Sequence, residues 1–199
     1  YFILDWNEIT YNFMHINSFK KFLFINEFNQ NLIPSIDKDF DIIFRNYQNL
    51  PNKSLLLTIK NFCKKTNRKF YLSNNIKLAA SLNLDGVYIP AFNKNLYYQN
   101  IPLRNNFKII GSAHNISEIR IKVAQQCDLI FLSPIFKNEK NKSFLNVIKF
   151  NILSLSFKKK FIALGGINKK NIKKIFLTKS IGIAGISKII EIKKNGPKN

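Results

Sequence analysis

The sequence of 199 residues has few cysteines, few acidic residues and no long apolar run. Its two cysteines, Cys63 and Cys127, belong to no CxxC motif and no His/Cys cluster, which excludes a disulfide-stapled mini-protein and a zinc site. No stretch approaches the roughly 18 to 20 apolar residues of a membrane helix, and Asp5 and Glu8 lie where a secretory signal would be basic and then apolar. We therefore expect a cytoplasmic protein with reduced thiols and without a membrane segment.

Acidic residues number only 11 against 32 Lys and Arg, so the formal net charge is +21. Such an excess of positive charge is typical of proteins that bind nucleic acid, because lysine and arginine neutralise phosphates. The lysines are nevertheless spread along the whole chain in short groups such as Lys64-Lys65 and Lys158-Lys159-Lys160, without a zinc finger, an RRM-like motif or a basic heptad. We expect most of this charge to be solvated surface, and we do not expect a nucleic-acid partner.

Apolar residues make up 46% of the chain, enough for the core of one large domain, which excludes collagen and disorder. Apolar runs alternate with amphipathic ones, which indicates parallel βα units in either a doubly wound sheet or a closed (β/α)8 TIM barrel. In both, chemistry is expected at the C-terminal ends of the strands. The pattern predicts strands over 21–25, 41–46, 70–73, 86–90, 108–112, 129–135, 160–167 and 181–186, and helices over 54–65, 76–83, 115–126 and 169–178.

No linker divides the chain, so we expect a single barrel domain over residues 21–199 behind an N-terminal extension over 1–20. The last two predicted strands end in glycine-containing segments, Ala163-Leu-Gly-Gly-Ile-Asn168 and Gly182-Ile-Ala-Gly-Ile-Ser187. Glycines there let backbone N–H groups approach an oxyanion, and barrels recurrently bind phosphate after strands seven and eight. The segments predict a phosphate site, the alternative being glycines that serve tight turns alone.

Two further segments, Gly111-Ser-Ala-His-Asn-Ile-Ser-Glu118 and Cys127-Asp-Leu-Ile-Phe-Leu-Ser-Pro-Ile-Phe136, precede these glycines. In order and spacing the four segments resemble the thiamine phosphate synthase/TenI superfamily, and the resemblance covers roughly residues 21–190. It implies a (β/α)8 barrel of thiamine biosynthesis that binds a phosphorylated thiazole or thiamine phosphate. The phosphate would lie on the backbone of Gly165, Gly166, Ile186 and Ser187, and a homo-oligomer is compatible with the resemblance.

A synthase of this superfamily joins a pyrimidine methyl pyrophosphate to thiazole phosphate, and its pyrophosphate leaves from a Mg²⁺ ion held by carboxylates. The chain departs from that pattern. Ser73-Asn74 replaces the family's Asn-Asp pair, and the family's second metal-binding Asp falls near Asn93. The family's arginine is kept as Arg45, but the lysine that flanks it is replaced by Tyr47. Asparagine carries no charge and is a poor Mg²⁺ ligand. We therefore expect no metal site and no cofactor, with Mg²⁺ needed only if the chain is a working synthase.

The TenI branch, described as tautomerising the thiazole carboxylate phosphate, needs no pyrophosphate site, and its acid/base histidine matches His114 of Ser112-Ala-His114. A histidine titrates near neutral pH and suits the movement of a ring proton. The resemblance therefore favours a TenI-like protein with His114 as the catalytic residue and with Arg45, Ser112 and Asn74 binding substrate. A thiamine phosphate synthase and a non-catalytic phosphate-ligand binder are the alternatives, since synthases also carry a histidine there.

Overall fold

Eight parallel strands close into a barrel in the computed structural model, which describes residues 19–29, 38–48, 51–96, 101–138 and 143–186. The strands pair in chain order, and the last pairs with the first, Lys20 lying opposite Gly182. This confirms the predicted (β/α)8 TIM barrel and excludes the doubly wound sheet. The strands are β1 Lys20–Ile25, β2 Phe40–Phe44, β3 Phe70–Ser73, β4 Gly86–Ile89, β5 Lys108–Ala113, β6 Leu129–Leu132, β7 Lys160–Leu164 and β8 Gly182–Gly185.

Helices cover the outside of the barrel: α1 Lys53–Lys65, α2 Ile76–Ser81, α3 Ile116–Ala124, α4 Asn146–Leu155 and a 3-10 helix over Ile172–Leu177. The first three begin at asparagine caps, because the side-chain oxygens of Asn52, Asn75 and Asn115 accept an N–H three residues further on, at 2.7, 3.0 and 3.0 Å. Within the described ranges no helix is long and apolar enough to cross a membrane.

The structure corrects several predicted boundaries. The strand predicted to Ile135 stops at Leu132, since Pro134 has no N–H for the ladder, and the strand predicted to Ile167 stops at Leu164 before two glycines of positive φ. The helix predicted over 169–178 is only the 3-10 helix Ile172–Leu177, and helix α4 was not predicted. β1 begins at Lys20, while residues 1–18 of the predicted extension lie outside the described ranges.

Aromatic side chains fill the inside of the barrel. Phe22 and Phe24 of β1 lie 5.0 and 6.0 Å, centroid to centroid, from the ring of Phe131 on β6. Tyr88 packs edge-on against Phe24 at 5.0 Å, and Tyr71 packs against Phe22 at 5.9 Å. Branched aliphatic residues usually dominate this space. Here a packed aromatic layer separates the two mouths of the barrel, with one tyrosine toward each mouth.

Candidate active site

The mouth at the C-terminal ends of the strands holds the predicted site residues. Ser112 lies inside β5, and the others follow directly after strands whose ends meet at this one mouth. Ser187 lies outside the described residues, so its predicted role stays a prediction. The residues brought to this end are Arg45 after β2, Asn74 after β3, His114 after β5, Gly165 and Gly166 after β7, and Ile186 after β8.

His114 is held in one orientation at the rim. Its ring Nδ1 lies 2.7 Å from the carbonyl oxygen of Ser133, and its backbone N–H donates to Glu118 Oε2 at 2.7 Å. Because a carbonyl oxygen can only accept, Nδ1 carries the proton and Nε2 keeps a free lone pair. Nε2 has no hydrogen-bond partner among the described residues, and the side chain is exposed to the mouth. The arrangement can accept a proton at Nε2 and return it.

A buried polar chain lies beneath the rim. The Tyr88 hydroxyl donates to Ser112 Oγ at 2.9 Å, and the Arg45 guanidinium carbon lies 4.8 Å from the centroid of the Phe24 ring. Burial raises the pKa of Tyr88 to about 12, while the hydrogen bond to Ser112 and the nearby Arg45 oppose part of that rise. Tyr88 is therefore a neutral donor at physiological pH. Sequence reasoning missed it; the signal was a polar aromatic side chain inside the buried strand Gly86–Ile89.

Asn74 and Asn93 form a direct amide pair on the same mouth. Asn93 Nδ2 donates to Asn74 Oδ1 at 2.6 Å, and the Asn95 N–H donates to Asn93 Oδ1 at 2.9 Å. Both side chains are thus uncharged and engaged where the resemblance would place metal-binding carboxylates. No group of three or more His, Cys, Asp or Glu residues in the described ranges could hold a metal ion. These residues do not fit a Mg²⁺ ion, which prefers carboxylate oxygens.

A buried lysine fixes the loop that carries Asn93. Lys122 of α3 is fully buried, and its Nζ donates to Pro90 O and Asn93 O, each at 2.8 Å, and to Gln125 Oε1 at 2.9 Å. Gln125 in turn donates from Nε2 to Asn93 O and Asn95 O. Burial lowers the pKa of Lys122 to about 8, so at neutral pH an ammonium fills all three hydrogen bonds.

An aromatic pair lies on the rim beside β2. Tyr47 packs edge-on against Phe92 with centroids 5.6 Å apart, and its hydroxyl accepts from Ser73 Oγ at 3.2 Å. Both rings are exposed, Tyr47 at 54% and Phe92 at 64%. Tyr47 takes the position of a lysine in the synthase pattern, so this part of the rim offers apolar surface in place of a positive charge.

Gly165 and Gly166 form a backbone turn that only glycine fits. Their φ angles are +88° and +73°, and a Cβ on Gly166 would lie 2.2 Å from Phe136 O. Asn171 Nδ2 donates to Gly166 O at 2.7 Å and holds the turn. The N–H groups of both glycines have no hydrogen-bond partner in the described part of the chain. Free backbone donors of this kind can bind an oxyanion.

A family model described as thiamine monophosphate synthase matches residues 42–189. The chain belongs to the thiamine monophosphate synthase family. The thiamine-phosphate synthase of Prochlorococcus marinus is 31% identical over 140 residues, which cover 66% of this chain and 38% of that protein. Thiamine-phosphate synthase 1 of Streptococcus pneumoniae is 29% identical over 147 residues, which cover 71% of this chain and 69% of that protein.

Solved structures share the fold of this member of the thiamine monophosphate synthase family. The thiamine phosphate pyrophosphorylase of Pyrococcus furiosus superposes with a TM-score of 0.67 at 18% identity, over 89% of this chain and 90% of that one. At this identity the similarity shows the fold alone. Because the chain spans only 38% of the length of the Prochlorococcus relative, the activity of that whole protein does not pass to it directly.

Proposed function

We propose that this member of the thiamine monophosphate synthase family binds a phosphorylated thiazole and moves a proton on it, as TenI-type tautomerases do, and that it does not act as a synthase. The observation that carries the proposal is the amide pair of Asn74 and Asn93, joined at 2.6 Å. Synthesis requires a divalent ion to neutralise a leaving pyrophosphate, and two paired amides supply no charge for it. A tautomerisation needs only a bound substrate and an acid/base group.

In this proposal the substrate phosphate binds the backbone N–H groups of Gly165, Gly166 and Ile186, with Ser187 as a further donor. The positive charge of Arg45 and the polar groups of Ser112 and Asn74 line the pocket for the ring and its carboxylate. Thiamine phosphate, which shares the phosphate and the thiazole, is the alternative ligand. The glycine turn supports this placement, because its N–H groups have no partner among the described residues and it lies at the same mouth as Arg45.

His114 acts as the acid/base group. Nε2 takes a proton from one position of the thiazole ring system and delivers a proton at another, so the product is an isomer and no other atom is exchanged. The Ser133 carbonyl, which accepts from Nδ1 at 2.7 Å, stabilises the imidazolium that forms between the two transfers. No step uses a metal ion or a cofactor.

The test is isomerisation of the thiazole carboxylate phosphate, followed by NMR. We expect H114Q to lower the rate by about 100-fold or more, the usual contribution of a positioned acid/base group. S133A is the matched control, because it removes the Ser133 hydroxyl, 3.2 Å from Nδ1, and keeps the closer backbone carbonyl that orients Nδ1. Its rate should stay close to that of the unaltered protein. An H114Q variant with undiminished isomerase activity would contradict the proposed mechanism.

A synthase is the second candidate, favoured by the names of the relatives and by the retained Arg45. Coupling of the pyrimidine pyrophosphate to thiazole phosphate in the presence of Mg²⁺ would establish it and refute our proposal. A non-catalytic binder would retain thiamine phosphate and show neither activity.

We further propose the cytoplasm as the compartment, where Cys63 and Cys127, both buried and free, stay reduced. Exposed Ile148 and Ile152 on α4 would suit a homo-oligomer.

A further inference from the structure

A cavity opens at the opposite mouth of the barrel, where the strands begin. Its volume is about 730 Å³, within the roughly 300–1,000 Å³ of small-molecule sites. Apolar and aromatic side chains form its inner wall, and lysines form most of its rim. The lining residues are Lys20, Phe22, Tyr71, Lys108, Asp128, Leu129, Phe157, Lys158, Lys159 and Lys160.

The rim of this N-terminal cavity carries five lysines against one aspartate. Lys108 pairs with Asp128 at 3.0 Å, and Lys159 Nζ donates to the carbonyl oxygen of Cys127 at 2.9 Å. The side chains of the remaining three, Lys20, Lys158 and Lys160, are exposed and make no hydrogen bond or salt bridge within the described ranges. The Asp41 carboxyl partly offsets the charge of Lys20. The other lysines around the opening repel each other, so a bound anion would stabilise this arrangement.

Tyr71 adds a hydrogen-bond donor to the wall of the cavity. The residue is only 5% exposed, and its hydroxyl has no hydrogen-bond partner in the described part of the chain. Burial raises its pKa, and the carboxyls of Asp41, Asp85 and Asp128 raise it further, so the phenol keeps its proton. All three carboxyls lie at or just before strand starts, which places the hydroxyl toward the N-terminal mouth. The hydroxyl oxygen itself touches solvent in the cavity, so a ligand atom can take the place of water as its partner.

We propose that the N-terminal cavity binds a phosphorylated small molecule with an aromatic or apolar group. The phosphate meets Lys20, Lys158 and Lys160 at the rim, and the apolar group enters against Phe157 and Leu129. The Tyr71 hydroxyl donates a hydrogen bond to a polar atom of the ligand. This site lies across the aromatic layer from the active-site mouth, so it is independent of the function proposed above.

ADP serves as the probe with both groups, and inorganic pyrophosphate as an anion without the apolar part, each titrated by calorimetry at 150 mM salt. We expect saturable binding of ADP that is tighter than that of pyrophosphate. K158Q/K160Q should weaken ADP binding about tenfold or more, since hydrogen bonds to charged groups are lost. The matched control is K64Q/K65Q, which removes the same charge from exposed lysines at the end of α1, outside the cavity, and should change the affinity less than about twofold.

Y71F tests the Tyr71 donor, because it removes the hydroxyl and keeps the ring. It should weaken ADP binding about tenfold while the thermal midpoint of the free protein stays the same or rises. Excess thiamine phosphate, which we place at the other mouth, should not displace ADP. Three results would overturn the proposal: no saturable ADP binding, equal losses in K158Q/K160Q and K64Q/K65Q, or displacement of ADP by thiamine phosphate.

Discussion

Restoring two carboxylates at the amide pair should create a divalent-ion site and make the barrel less stable without the ion. In N74D/N93D the hydrogen bond of 2.6 Å between the amides disappears, and two negative charges take its place. The single variant N74D is the control, because the carboxylate it introduces can still accept from Asn93 Nδ2. The comparison isolates the effect of the second charge.

The magnitude follows from the geometry of the pair. Loss of the hydrogen bond costs about 1 kcal/mol. Two carboxylates about 4 Å apart repel by about 1 kcal/mol in water and about 4 kcal/mol near a protein surface. Asn74 is exposed, so the smaller value weighs more, and we expect a total loss of about 2–3 kcal/mol. For a chain of this size each kcal/mol corresponds to about 2–4 °C in the thermal midpoint.

The assay is thermal unfolding with EDTA and with increasing Mg²⁺. N74D/N93D should melt about 4–12 °C below the unaltered protein in EDTA, and Mg²⁺ at about ten times its dissociation constant should return about 1.4 kcal/mol. The free energy of unfolding of N74D should stay within about 1 kcal/mol of that of the unaltered protein. Mg²⁺ should change the thermal midpoint of neither N74D nor the unaltered protein. The reasoning fails if Mg²⁺ stabilises the unaltered protein as much as it stabilises N74D/N93D.

Three further predictions concern the fold and the phosphate turn. G166A should lower the free energy of unfolding by about 1–3 kcal/mol and abolish thiamine phosphate binding, because the new Cβ would meet Phe136 O at 2.2 Å; a stable, ligand-binding G166A would contradict the assigned turn. Burial raises the pKa of Asp41 to about 6, so the folded state holds an extra proton between about pH 4 and 6 and stability falls as the pH rises through that window. D41N should remove this fall in stability and, in urea unfolding at pH 7.5, be more stable than the unaltered protein by up to about 3 kcal/mol. If the stability of D41N falls with pH as steeply as before, the Asp41 carboxyl is not the cause. F131A should cost about 3–5 kcal/mol by leaving a hole among the aromatic rings, against less than about 1.5 kcal/mol for F131L, and equal losses would argue against a packed layer.

The strands were predictable because turn residues bound short apolar runs, as in Phe70–Ser73 and Gly86–Ile89. Helix α4 was not, because Ile148, Ile152 and Leu155 are apolar yet 60–69% exposed, which obscures the periodicity that separates a buried face from a solvated one. The order of the elements fitted both a doubly wound sheet and a barrel, and the family resemblance favoured the barrel. The closed sheet confirmed the barrel, and the family match confirmed the resemblance.

The site was predictable only in part. The positions of His114, Arg45 and Asn74 at strand ends followed from the order of the strands, whereas the contact between Asn74 and Asn93 depends on side-chain directions across two loops. The lysines of the N-terminal cavity come from three distant parts of the chain. Only strand register brings them together, because β1, β5 and β7 all begin with a lysine at the same mouth.

Lys122 supplies the loop after β4 with a cation that cannot dissociate, because it is a side chain of the protein. An ion bound from solution obeys mass action, so its occupancy falls when a chelator or competing ligand lowers its concentration. A side-chain ammonium bonded to Pro90 O, Asn93 O and Gln125 Oε1 is covalently part of the chain and stays at the same local concentration under all ionic conditions. The shape of this wall of the active-site mouth is therefore set when the protein folds, and it does not depend on the supply of divalent ions in the cell.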